Sequence, residues 1–151
     1  MKARLLFVFA TLTQLSMAQE KKIIFVCQHG AAKSVIAASY FNKLASDRKL
    51  NYTAECRGID PDSVVSPGAK EGLIKDNMFD AQTKPQRLVP GDTANVEMII
   101  LFAPLPADLK ETTIKTENWS QIENVDADYS KRRQAIVKKI NELLDNLEKQ
   151  N

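Results

Sequence analysis

The chain has 151 residues, 44% of them hydrophobic, with 21 basic and 19 acidic side chains. That is apolar material enough for one domain with a substantial core, and too little chain for two. A near-neutral balance with one Trp and no basic-aromatic interleaving argues against a nucleic-acid partner, because phosphate-backbone binding needs a concentrated positive field.

The first 18 residues differ in kind from the rest. Lys2 and Arg4 precede an apolar run from Leu5 to Met17, and Ser16-Met17-Ala18 offers a small-x-small cleavage site before Gln19. This is the pattern of a secretory signal peptide. It predicts a leader over 1–18, a single mature domain over 19–151, and a secreted or periplasmic location. The run falls short of the roughly 20 apolar residues of a membrane span, so no stable membrane association is expected after cleavage. An uncleaved anchor is the alternative. Cleavage removes Lys2 and Arg4 from the 21 basic residues and leaves 19 against 19 acidic ones, a formally neutral protein.

Lys21-Lys22-Ile23-Ile24-Phe25-Val26 is a short β-branched and aromatic run, as in a strand buried on both faces. After Cys27-Gln28-His29-Gly30-Ala31-Ala32-Lys33, apolar residues at Val35, Ile36, Ala38, Phe41, Leu44 and Ala45 recur at helical spacing and predict a helix over 34–46. A shorter strand is expected over 51–57, closed by Gly58 and Asp60-Pro61. Ser66 as N-cap and Pro67 at the first helical position open a weak helix running to Asp76. A helical turn is expected over 86–92, a clear strand over 96–102, and a fourth strand over 112–116. Residues 119–129 read as polar, irregular and mobile. Lys131-Arg132-Arg133 reads as the solvated start of a last helix carrying the stripe Ile136, Ile140, Leu143, Leu144 and Leu147. Strands alternating with helices predict an α/β sandwich with a central parallel sheet, in which ligands sit beyond the carboxyl ends of the strands. Cys27 closes the first strand at that edge.

The residues that follow it have oxyanion chemistry. Small side chains at Gly30, Ala31 and Ala32 let successive N–H groups turn inward as an anion nest, and the helix start adds its unpaired N–H groups and dipole. A tetrahedral oxyanion is the expected partner, held by Gln28, His29, Gly30, Ala31, Ala32 and Lys33. A helix N-terminus and a nearby cation both favour the thiolate, the nucleophilic form of Cys27. Ser34 is placed to donate a hydrogen bond to it, and the sulfur is expected to attack phosphorus or arsenic. Lys33 brings a point charge where arginine would bring a planar fork. His29, the one histidine, either takes part in acid–base chemistry or lines the mouth of the loop. Read more plainly, Cys27 is a buried inert thiol and Gly30 a turn residue. A Walker loop fits poorly, because Ala32 stands where glycine must precede Lys-Ser. Two cysteines and one histidine without Cys-x-x-Cys make a structural zinc site unexpected, and no other metal or organic cofactor is implied.

Phe25-Val26-Cys27, five residues, then Lys33-Ser34 with Ile36-Ala37-Ala38 opening the helix, resembles the Cys-x5-Arg-Ser signature of low-molecular-weight protein tyrosine phosphatases and the thioredoxin-coupled arsenate reductases of that fold. The resemblance spans about residues 22–149. It implies a flavodoxin-like, three-layer sandwich on a four-stranded parallel sheet, a cysteinyl-phosphate intermediate on Cys27, a thiolate-stabilising Ser34, and Lys33 in the arginine position. It also implies a general acid late in the chain, where Glu123, Asp126 and Asp128 stand; Asp126 and Asp128 are the candidates, with helix capping as their other reading. The implied function is an exported phosphatase acting on phosphotyrosine-like phosphomonoesters. The alternatives are an oxyanion-binding module weakened in turnover by Lys33, and an arsenate reductase-like oxidoreductase. The last lacks relay cysteines over 102–109, so only Cys56 is left to resolve an oxidised Cys27.

Overall fold

The computed structural model describes residues 19–110, 113–122 and 128–150. The leader expected over 1–18, together with Thr112, Glu123 and Asp126, lies outside the described residues. The elements in order are β1 (Lys21–Cys27), α1 (Lys33–Asp47), β2 (Tyr52–Gly58), α2 (Pro67–Lys75), β3 (Val96–Leu101), β4 (Lys115–Asn118) and α3 (Tyr129–Glu148). The four strands form one sheet in the order β2-β1-β3-β4, and every neighbouring pair is parallel.

β1 is interior to the sheet and its residues Ile23 to Val26 are fully buried, which is why its sequence is continuously apolar rather than alternating. The chain departs from β1 to β2 on one side and returns to β3 on the other. The carboxyl end of β1 is therefore a topological switch point, where a crevice opens for ligands.

The two faces of the sheet are covered differently. Ile23, Phe25 and Cys27 point into a large core built with α1, α2 and α3. The opposite face, carrying Ile24, Val26 and Ile99, is covered by Leu88, Leu105 and Leu109 from connecting segments. Among the described residues, that third layer is coil and short 3-10 turns at Pro90–Thr93 and Ala107–Leu109.

Three expectations need correction. Trp119, at the start of the segment read as mobile, is fully buried; its ring lies 5.8 Å from Phe25 and 5.9 Å from Phe102, edge-on to the latter. Its indole N–H donates to Glu117 Oε1 at 2.6 Å, so burial leaves no unmet donor. The fourth strand runs over Lys115–Asn118, overlapping the expected segment only at its end. No apolar residue marks it, because it is an edge strand placed by register, Met98 opposite Lys115 through Leu101 opposite Asn118. Over 86–92 the expected helical turn is displaced: Arg87 bridges Gly58 in extended form, and the turn begins at Pro90, closed by Val89 N–H donating to Asp92 Oδ2 at 2.9 Å.

Candidate active site

β1 ends in Cys27 and α1 begins at Lys33, so the intervening loop must turn the chain within five residues. It is held from outside by its own carbonyls. Those of Cys27, Gln28, His29 and Ala31 accept from the N–H groups of Ile59, Asp60, Asp62 and Ser66, at 3.1, 2.8, 3.0 and 2.9 Å. Among the described residues, no N–H of residues 28–33 donates to another backbone carbonyl. With the carbonyls turned outward, those donors are left for an anion inside the loop, which is the arrangement of a nest.

The outward clamp depends on two glycines. Gly30 has φ of +60°, and a Cβ there would come within 2.9 Å of Gly58 N. A Cβ on Gly58 would come within 2.7 Å of Gly30 N. Backbone therefore meets backbone, and only glycine permits both the approach and the left-handed turn.

Cys27 is 5% exposed, and its sulfur lies 3.1 Å from Ser34 Oγ. Ser34 is fully buried and is the second residue of α1. α1 has no side-chain cap at Ala32, so its first N–H groups point unshielded toward the loop. A serine without access to solvent, facing a thiol at a helix N-terminus, is arranged to donate to a thiolate.

Cys27 opens into a cavity of about 460 Å³ that is also lined by Gln28, His29, Ala31, Ala32 and Lys33. The loop residues expected to bind an oxyanion thus face one space, with Gly30 behind them as the hinge. Lys33 Nζ donates to the Ile122 carbonyl at 3.2 Å and lies 5.8 Å from the centre of the Phe102 ring. Burial pulls its ammonium below the usual lysine range; the nearby Cys27 pulls the other way, and Arg132 adds to the lowering. His29 sits at the rim, Nδ1 3.4 Å from Asp62 Oδ1, both side chains more than half exposed.

Asp128 is placed differently. It is the N-cap of α3, its carboxylate accepting from Ser130 N at 2.9 Å and Lys131 N at 3.4 Å, and it does not line the cavity. Cys56 is also apart. It pairs with Phe25, while Cys27 pairs with Gly58, so the two cysteines sit two rungs apart on neighbouring strands. Strand spacing and rise put such Cα atoms roughly 8 Å apart, beyond the reach of a disulfide, usually about 4.4 to 6.8 Å. Both thiols are free.

No protein-family model and no curated protein matches the sequence. Solved structures match it in shape. A low molecular weight protein tyrosine phosphatase from Bacillus subtilis superposes with a TM-score of 0.70 at 16% identity, over 85% of this chain and 97% of that one. A thioredoxin-dependent arsenate reductase from Corynebacterium glutamicum gives 0.70 at 18%, over 89% and 65%. The Bacillus subtilis YwlE arginine phosphatase, as a mutant with a phosphorylated active-site serine, gives 0.71 at 16%, over 85% and 96%. The chain has the low-molecular-weight phosphatase fold. Identities this low carry the fold alone and leave the activity to be argued from the site.

On this phosphatase fold the cavity has walls that the loop signature does not include. Asp62 and Ser66 come from the segment after β2, Phe102 from the end of β3, and Arg132 from α3. The expectation of a solvated Lys131-Arg132-Arg133 tract therefore fails at two of its three members: Arg132 lines the cavity, and Arg133 is ion-paired to Asp76 at 3.2 Å. A signal for this was in the sequence. Arg132 is four residues before Ile136, and Ile136 is four before Ile140, so Arg132 continues the buried stripe of α3 back by one turn.

Proposed function

We propose that the protein is an exported phosphatase that hydrolyses phosphomonoesters, phosphotyrosine-like ones among them, through a cysteinyl-phosphate at Cys27. One observation carries the proposal: the Cys27 sulfur lies 3.1 Å from the buried Ser34 hydroxyl, inside a loop whose carbonyls are bonded outward. In the first step the Cys27 thiolate attacks phosphorus. The S–P bond forms, the ester P–O bond breaks, and the leaving oxygen takes its electron pair and a proton from a carboxylic acid. In the second step water attacks phosphorus and gives its proton to that carboxylate. The P–S bond breaks, inorganic phosphate departs and the thiolate returns. The loop N–H groups and Lys33 hold the equatorial oxygens throughout. Of the two candidate acids, Asp128 is engaged as a cap, so the proton is assigned to Asp126. Export rests on the leader pattern of residues 1–18.

A second reading is an oxyanion receptor with little turnover. It is favoured by the Lys33 ammonium, a point charge already donating to the Ile122 carbonyl. Arsenate reduction ranks below both, since the register separates Cys56 from Cys27 and there is no third cysteine.

Assay of the mature protein on an aryl phosphate, beside Cys27→Ser, tests the first reading. Hydrolysis lost in the variant is expected; equal rates would falsify it. Phosphate binding by a wild-type protein that does not hydrolyse would favour the receptor.

A further inference from the structure

The cavity takes charge from an element that the loop does not belong to. Arg132, half-buried on the first turn of α3, lines the same space as Cys27 and Lys33. It is near enough to Lys33 to disfavour the protonated ammonium. Two cations lining one partly buried space give it a positive field that suits a multiply charged anion.

The turn that carries Arg132 is fixed with unusual care. On one side of it the Tyr129 hydroxyl donates to Asp76 Oδ2 at 2.6 Å, alongside Tyr40, also at 2.6 Å. On the other side Arg133 donates to both Asp76 oxygens at 3.2 Å. Beneath them the Tyr129 ring occupies the space where a Cβ on Gly72 would lie, 2.3 Å from the ring. An arginine meant only for solvent needs no such anchoring of the residues around it.

We propose that Arg132 is a second oxyanion ligand, supplying from α3 the guanidinium fork that Lys33 cannot supply from the loop. The proposal rests on reading the cavity as an oxyanion site. Lys33 gives the pocket a compact point charge, and one of its three donors goes to the Ile122 carbonyl. A guanidinium offers parallel N–H groups that match two oxygens of a tetrahedral anion at once. The clamp is thus divided between two elements, where a single loop arginine would combine both roles.

Calorimetric titration of the mature protein with inorganic phosphate tests this. Arg132→Ala is expected to weaken phosphate binding about tenfold or more, as loss of a charge-assisted hydrogen bond does. Arg132→Lys should recover part of the loss, because it keeps the charge and loses the fork. Lys131→Ala removes the same charge from an exposed neighbour and should change affinity less than about twofold. In the Arg132→Ala background, Lys33→Arg should restore more affinity than it adds to the wild type. Unchanged affinity in both Arg132 variants overturns the proposal, as does a loss in Lys131→Ala equal to that in Arg132→Ala. A wild-type protein that binds no phosphate overturns both the clamp and the oxyanion reading. If phosphate binds and depends on Arg132 while aryl phosphate hydrolysis is unaffected by Cys27→Ser, the clamp stands and the phosphatase reading falls.

Discussion

The Cys27 sulfur at the end of β1 and the Ser34 hydroxyl on the first turn of α1 lie 3.1 Å apart, both buried, across the loop that connects the two elements. Ser34→Ala should slow the steps that form and consume the thiolate. A hydrogen bond to a charged group contributes about 1.5–3 kcal/mol, so kcat should fall about ten- to hundredfold. Single-turnover kinetics on an aryl phosphate would measure it, and an unchanged rate would show that Ser34 does not act on the sulfur.

Lys33 gives the site a pH signature. Its ammonium is held below the ordinary lysine range by burial first, with Arg132 adding to the effect. Phosphate affinity should therefore decline on the alkaline side at a pH below that expected of a solvated lysine. In Lys33→Arg the guanidinium stays charged, and that limb should move up or vanish. Coincident alkaline limbs in the two proteins would remove Lys33 from the anion's surroundings.

Gly58→Ala tests the outward clamp on the loop. The added Cβ meets Gly30 N at 2.7 Å, and backbone on both sides leaves no flexible side chain to yield. Loss of phosphate affinity is expected, together with a measurable fall in Tm. A variant that binds phosphate like the wild type would mean that the loop tolerates displacement from residues 58–66.

Asp76 should govern the acid sensitivity of the α3 junction. Hydrogen bonds from Tyr129 and Tyr40, then Arg133, hold its carboxyl below the ordinary aspartate value. A group so depressed contributes stability above its unfolded value, and that contribution is lost as pH falls from about 4 through the lower folded value. Denaturant titrations across this window should show a shallower acid decline for Asp76→Asn than for the wild type. Parallel declines would place the acid-sensitive group elsewhere.

Trp119→Ala should cost about 3–5 kcal/mol, the usual loss for a large buried aromatic. Urea unfolding would measure it, and a cost below about 1 kcal/mol would match a surface position instead.

What could be read from the sequence follows from how each feature is encoded. β1, α1 and β3 are written in contiguous apolar runs or helical stripes, and the loop between β1 and α1 in small residues beside a cysteine. These features recur in the fold where the pattern put them. β4 carries Lys115, Thr116, Glu117 and Asn118, an edge strand defined by its partner rather than by its own side chains. Trp119 sits in polar surroundings in the sequence, and its burial depends on Phe25 and Phe102 from two other strands' neighbourhoods. In the site, the loop residues were legible because they are consecutive. Asp62, Ser66, Phe102 and Arg132 were not, because their convergence is a product of the crossover topology. Arg132 was the partial exception, since its helical phase relative to Ile136 was available.

The cavity joins the end of the first strand to the first turn of the final helix, with residues 27 and 132 both in its lining. A ribosome releases Cys27 long before it releases Arg132. The nascent protein therefore carries Cys27 through most of its synthesis without a completed cavity around it, and if the cavity binds phosphate as proposed, recovery of that binding on refolding would report docking of α3 rather than formation of the sheet.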